Sequence, residues 1–247
     1  SVSLLSGNSN ASPAVGVAAH GSAHEVLSTR LRRRLYHVAR LIQLIIKRVV
    51  DVVMALALVV ALLPVLLIVA IAVKLDSPGP LYYNRVRVGK NGRHFTMYKF
   101  RTMSSDAERR LRDLQHLNTG GAYMVKIKDD PRVTRVGRLL RVSSIDEVPQ
   151  LLNVLLGDMS MIGPRPQTPE EVAHYTDAQR VRLTVLPGIT GLWQIKDRHN
   201  PSFEQWIAWD VHYIARWSLW LDLCIAWRTF VMIIADICRA ASRALAR

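Results

Sequence analysis

Residues 52–73 read VVMALALVVALLPVLLIVAIAV, twenty-two positions without one charged side chain. As a helix the stretch is roughly 33 Å long, enough to cross the hydrocarbon core of a bilayer. It is too long for a signal-peptide core and has about fifty residues ahead of it, so Ala70-Ile71-Ala72 is not read as a cleavage site. The segment marks a membrane protein. Pro64 lacks a backbone donor and clashes with the preceding turn, and is expected to break or kink the helix. Lys47 and Arg48 precede the segment; Lys74, Arg85, Arg87, Lys90 and Arg93 follow it. Positive charge marks the cytoplasmic side, so two positive flanks favour a helix that enters, bends at Pro64 and leaves by the same face. A plain tilted span is the alternative.

Upstream, residues 29–48 interleave Arg30, Arg32, Arg33, Arg34, Arg40, Lys47 and Arg48 with Leu31, Leu35, Val38, Leu41 and Ile45. This is a basic amphipathic helix suited to anionic membrane lipid. Residues 1–28, rich in Ser, Ala, Gly and Asn, read as a flexible tail. The first residue is Ser rather than Met, which fits a processed product or a piece of a longer chain with further membrane helices. The 33 Lys and Arg outnumber the 19 Asp and Glu for a net charge of +14, favouring phosphate-rich partners. Cys224 and Cys238 have no metal-ligand spacing and imply neither a zinc site nor a disulfide framework.

Downstream, Ser77-Pro78-Gly79-Pro80 separates the membrane helix of residues 49–75 from a cytosolic unit of residues 76–200. Leu81 to Val88 and His94 to Phe100 read as strands around Gly89-Lys90-Asn91-Gly92, whose Asn-Gly supplies the positive φ angles of a hairpin turn. Asp106 to Leu117 reads as a helix opened by a Ser105–Glu108 capping box, Ala122 to Lys128 as a short strand, and Thr134 to Arg141 and Glu170 to Leu183 as further helices. From residue 201 to 247 Trp residues alternate with Leu and Ile. A membrane span there would bury Asp222, Arg228 and Asp236, which is costly. Helices lying in the membrane interface avoid that cost and are the expected arrangement, with ordinary Trp-rich core packing as the alternative.

The chemistry is sought in Ser143–Pro166, SSIDEVPQLLNVLLGDMSMIGPRP. Asp146 and Glu147 precede Val148, Leu151, Leu152 and Leu155, spaced as one helix face. Ser144 and Glu147 have the spacing of a capping box, so the acids have a structural reading as helix-start residues. That box leaves Asp146 and the Gly163-Pro164-Arg165-Pro166 turn without a role. A carboxylate among arginines is a structural ion-pair cluster or a nucleophile set among cations that screen a phosphate. No DxD or GxxxxGK[ST] motif is present. The residues by themselves describe a membrane-surface protein handling phosphates. A non-enzymatic scaffold and a nucleic-acid-binding module are the rival classes; the latter leaves residues 52–73 unexplained.

The motifs Ser77-Pro78-Gly79-Pro80, Tyr98-Lys99-Phe100-Arg101-Thr102-Met103, Asp129-Asp130-Pro131-Arg132, Asp146-Glu147-Val148-Pro149-Gln150, Gly157-Asp158-Met159-Ser160, Gly163-Pro164-Arg165-Pro166 and Pro187 to Gln194 recur in this order in a known family. In these, over about Lys47 to Ile234, the chain resembles the bacterial sugar transferases, the monotopic polyprenol-phosphate phosphoglycosyl transferases. One departure falls at Lys196-Asp197-Arg198-His199-Asn200, where many relatives carry Ser-Gly-Arg. The resemblance implies an α+β, helix-rich monotopic membrane protein. Its parts are a re-entrant, Pro-broken N-terminal helix, a small catalytic domain containing the hairpin, and C-terminal amphipathic interfacial helices. It implies transfer of a sugar 1-phosphate from a UDP-sugar to polyprenyl (undecaprenyl) phosphate with release of UMP, an early step of exopolysaccharide or glycoconjugate synthesis at the cytoplasmic face of the bacterial inner membrane. Asp146 is the implied nucleophile, Glu147 its assistant, and Mg²⁺ the cofactor, touching Asp146. Arg165 and Arg141, then Lys99 and Arg101, are the expected phosphate contacts. The expected partners are UDP-sugar, polyprenyl phosphate and anionic membrane lipid, without nucleic acid; a homo-oligomer is compatible with this reading.

Overall fold

The computed structural model describes residues 23–118, 127–197 and 202–245. Residues 1–22 of the tail expected over 1–28, most of the strand expected at Ala122–Lys128, and positions 198–200 of the departure noted above lie outside the described residues; residues 23–28, expected as tail, are helical. The chain divides into two compact units, residues 1–42 and 43–247. In the first, residues 23–42 are helical.

The basic and apolar segments, expected as separate elements, form one helix, α1 (Ala23–Asp76), which continues through Pro64 instead of breaking. A proline removes one backbone donor, and the flanking turns keep their own hydrogen bonds. The hairpin follows as expected: β1 (Arg85–Val88) and β2 (His94–Met97) run antiparallel, with Arg85 opposite Met97 and Val88 opposite His94. Asn91 and Gly92 take φ of 57° and 78° in the turn.

Next come α2 (Ala107–Leu114) and α3 (Arg135–Ser143). The Ser105–Glu108 box is absent: Asp106 occupies the cap of α2 without a side-chain capping bond. At α3, Thr134 Oγ1 does accept from the Gly137 amide at 2.9 Å. In α4 (Gln150–Leu156), Asn153 is fully buried. Its amide accepts from Tyr98 N at 3.1 Å and donates to Thr96 O at 2.7 Å, tying α4 to the strand end.

A parallel pair, β3 (Ser160–Ile162) with β4 (Gly188–Thr190), was not anticipated. Between them the helix expected over Glu170–Leu183 is divided into α5 (Pro169–Ala173), α6 (Asp177–Arg180) and a 3-10 turn at Val181–Thr184. The cause is a capping box, Thr176 with Gln179, which starts a new helix where the first should have run on.

The chain closes with α7 (Leu192–Lys196), α8 (Phe203–Arg216) and α9 (Leu219–Leu245). The Trp residues divide between the two readings given to them. Trp206 is core, its ring centroid 4.7 Å from that of Trp193. Trp220, Leu223, Trp227, Phe230 and Ile234 form an exposed stripe on α9, at spacings of three and four.

Within the second unit, Asp51, Ala55, Val59, Leu62, Leu66, Val69, Val73 and Asp76 of α1 face inward, again in steps of three and four. The other side, with Val53, Leu56, Val60, Leu63, Leu67 and Ile71, is exposed. A helix apolar on all sides suits a non-aqueous surround. Among the described residues α1 is the one helix long and apolar enough to cross a membrane.

Both ends of the apolar stretch hold the same body. At one end Lys47 Nζ donates to Asp222 Oδ2 at 2.7 Å and to Ile162 O at 3.0 Å, and Arg48 donates to Val154 O at 2.7 Å. Asp51 accepts from Ser160 Oγ at 2.6 Å and Met161 N at 3.1 Å. At the other, Asp76 accepts from Val136 N at 3.0 Å. Removing one partner of a buried ion pair strands the other charge. Lys47→Met is therefore expected to cost about 3 kcal/mol, measured as a lower unfolding midpoint in detergent.

Candidate active site

Three segments bring the site together. Ser144, in the left-handed region at φ 57°, ends α3 and turns the chain into a 3-10 turn, Ile145–Glu147. The acid pair therefore sits on this turn, ahead of α4, and not on the helix start. The expected Ser144–Glu147 capping box is absent, because a residue in that conformation cannot aim its hydroxyl at the following amides, and no side-chain cap bond forms. What the reversal achieves is burial: Asp146 is 2% exposed. Its carbonyl accepts from Phe100 N at 2.9 Å, so it is fixed to the segment leaving β2.

That segment supplies Lys99, whose Nζ lies 2.8 Å from Asp146 Oδ2 and 3.3 Å from Glu147 Oε1. On the far side of Glu147, Arg165 Nη1 is 3.7 Å from the same Oε1. Asp146, Glu147, Lys99 and Arg165 thus form one chain of alternating charge. Burial pushes the Asp146 carboxyl up, and Lys99 holds it back down by charge and hydrogen bond. Arg141 completes the group through its field: it stands on the last turn of α3, with Nε donating to Thr102 Oγ1 at 2.9 Å, and its charge also opposes protonation of Asp146.

Arg101 goes elsewhere. Its guanidinium donates to Ser77 O at 2.7 Å and to Pro78 O, closing the chain reversal at the end of α1. The Asp130–Arg132 motif is likewise a clamp: Arg132 holds Asp130 through Nε at 2.9 Å and Nη2 at 2.6 Å, and reaches Ala107 O at 3.2 Å.

The turn carrying Arg165 is seated by glycines. Gly163 N donates to Thr190 O at 2.9 Å and Gly188 N to Pro164 O at 2.8 Å. A Cβ on Gly188 would collide with the Gly163 backbone, and one on Gly191 with the Gly163 carbonyl, which is why Pro187-Gly188-Ile189-Thr190-Gly191 is built as it is. Sequence reasoning did not reach Arg182 or Arg87. Arg182 is buried against Asp210, and Arg87 has its guanidinium 3.7 Å from Glu171. Both lie in segments whose pattern looks like ordinary solvated helix or strand.

Among the described residues no three His, Cys, Asp or Glu side chains converge. The donor set at the site is the adjacent pair Asp146 and Glu147. Two carboxylates fit Mg²⁺, which keeps its waters and is completed by substrate phosphates rather than by an all-protein cage.

The family model described as bacterial sugar transferase matches residues 42–236. The chain is 46% identical to the galactosyl transferase CpsE of Streptococcus agalactiae over 63% of its own length and 35% of that protein's. To the UDP-glucose:undecaprenyl-phosphate glucose-1-phosphate transferase of Caulobacter vibrioides it is 42% identical, covering 74% of this chain and 67% of the relative. To the undecaprenyl-phosphate galactose phosphotransferase of Salmonella typhimurium it is 35% identical, covering 84% and 44%. The chain thus spans from about a third to about two thirds of these relatives. With residues 42–236 of its 247 matched by one model, the chain belongs to the bacterial sugar transferase family.

Proposed function

We propose that this chain transfers a sugar 1-phosphate from a UDP-sugar to polyprenyl (undecaprenyl) phosphate in two displacements. A carboxylate oxygen of Asp146 attacks the sugar-bearing phosphorus; the bond from that phosphorus to the bridging oxygen breaks and UMP leaves with the electron pair. An oxygen of polyprenyl phosphate then attacks the same phosphorus, expelling the Asp146 carboxylate and forming polyprenyl diphosphate sugar. The observation that carries the reading is a 2% exposed carboxylate held at 2.8 Å by a lysine and followed by a second acid paired with Arg165. An anion attacking an anion needs such fixed positive charge. The names of the Caulobacter and Salmonella relatives support the lipid carrier and the transferred group.

Asp146 and Glu147 would hold Mg²⁺, which when bound neutralises diphosphate charge. Lys99 keeps Asp146 ionised and Arg165 faces the phosphate. Glu147 bridges Lys99 and Arg165, holding the second cation beside the Asp146–Lys99 pair.

The membrane arrangement belongs to the same proposal: α1, bent at Pro64 without a break in its helix, keeps both ends of its apolar stretch at the cytoplasmic face of the inner membrane, with α9 at the interface. Support comes from the two anchored ends of the apolar stretch and from the exposed faces of α1 and α9. This sets the carboxylate at the height of a lipid phosphate.

The test is to incubate the purified chain with Mg²⁺, polyprenyl phosphate and a panel of UDP-sugars. UMP release with one sugar, together with an organic-extractable diphosphate product, is expected. Release of UDP instead would contradict the reaction class, since it means transfer of the sugar without its phosphate.

A further inference from the structure

Arg165 lies between two prolines, and because Pro166 has no N–H the peptide plane after Arg165 can be held only through its carbonyl. The peptide plane before it carries Pro164 O, which accepts from Gly188 N at 2.8 Å. The plane after it carries Arg165 O, and that oxygen accepts from Arg182 Nη2 at 3.1 Å. With both planes held, the Cα–Cβ direction from which the Arg165 side chain departs follows from covalent geometry.

Arg182 is itself over-determined. It is 4% exposed, Nε donates to Asp210 Oδ2 at 2.9 Å, Nη1 donates to the Tyr175 hydroxyl, and the guanidinium lies 5.6 Å from the Tyr175 ring centroid. Asp210 is fully buried. Stability alone is a poor reason for such a pair, because desolvation of both ions offsets their attraction. Burial pushes the Asp210 carboxyl up to about 6 even beside Arg182, the mark of an ion pair kept at a cost.

We propose that Arg182, locked by Asp210 and Tyr175, is the positioning residue that aims Arg165 at the phosphate of the donor. This rests on the reading of Arg165 given above. Arg182 touches no reacting atom; it fixes the second of the two peptide planes that orient Arg165. Lysine is the discriminating replacement. It keeps the charge beside Asp210 but lacks the planar fork that reaches Asp210 and Arg165 O together.

The experiment compares Arg182→Lys, Arg165→Met and the double variant in donor-dependent UMP release, with the unfolding midpoint of each. Arg182→Lys is expected to keep its midpoint within a few degrees and to lose about 10- to 100-fold in kcat, the cost of a misaimed group. In the Arg165→Met background the same change is expected to have no further effect, because there is no guanidinium left to aim. Wild-type kcat in Arg182→Lys, or a loss that multiplies with that of Arg165→Met, overturns the proposal. Should Arg182→Lys not fold, Tyr175→Phe takes its place; a smaller fall in kcat that vanishes with Arg165→Met supports the proposal, and one that persists overturns it. An Arg165→Met variant with unchanged kinetics contradicts the role of Arg165 itself and removes the proposal with it.

Discussion

Asp146→Asn is expected to lower sugar-phosphate transfer by roughly 10⁴-fold or more, the loss typical of an absent nucleophile, without unfolding the protein. Asn has nearly the same shape, leaves the backbone bond from Phe100 N to the residue 146 carbonyl in place, and keeps an oxygen that can accept from Lys99. The stability effect has a definite sign. Burial raises the Asp146 carboxyl above its ordinary value, so the folded state holds the charged form at a cost, and a neutral amide removes that cost. The unfolding midpoint should therefore stay the same or rise as activity disappears. A midpoint that fell sharply would mean that the carboxylate serves the fold, the structural reading of the acid pair.

Lys99→Met is the second large effect, expected at about two orders of magnitude in turnover. Lys99 is the cation shared by both acids, and without it two adjacent carboxylates face each other across a buried turn. The Asp146 carboxyl, already pushed up by burial, moves further up, because the lowering contributions of Lys99 are lost. A smaller share of the nucleophile is then ionised at any given pH. The acid limb of the rate profile should move to higher pH, and raising the pH should recover part of the loss. A uniform loss at every pH would assign Lys99 to substrate binding alone.

Much of this was legible in the chain because the deciding signals are local. Residues 52–73 announce an apolar helix by composition, and Asn91-Gly92 announces a turn because few other pairs accept left-handed backbone. Lys99, Arg165 and the acid pair were nominated from motif and charge, and they meet in space.

What was not legible depends on partners far away in sequence. Ser144 in the left-handed region is hidden, since Gly or Asn is the usual sign of such a reversal, and it is this residue that takes the acids off α4. The β3–β4 pair joins three-residue strands too short for periodicity to reveal. Lys99 and Arg101 look equivalent in the sequence, yet one reaches the acids and the other the carbonyls after α1, because residues 99–101 follow the end of β2 and have no regular alternation. Arg182 could not be singled out from Arg180, because only the tertiary fold brings Asp210 to it.

The most direct measurement is intact-protein and peptide mass analysis after incubation with Mg²⁺ and the UDP-sugar alone, with no lipid acceptor. A two-step transfer through Asp146 predicts UMP in an amount stoichiometric with enzyme and a sugar-phosphate mass increment on the peptide containing Asp146. The increment should be absent in Asp146→Asn and discharged by later addition of polyprenyl phosphate. Turnover that requires the lipid acceptor from the start, with no increment on that peptide at any time, would contradict the covalent role assigned to Asp146.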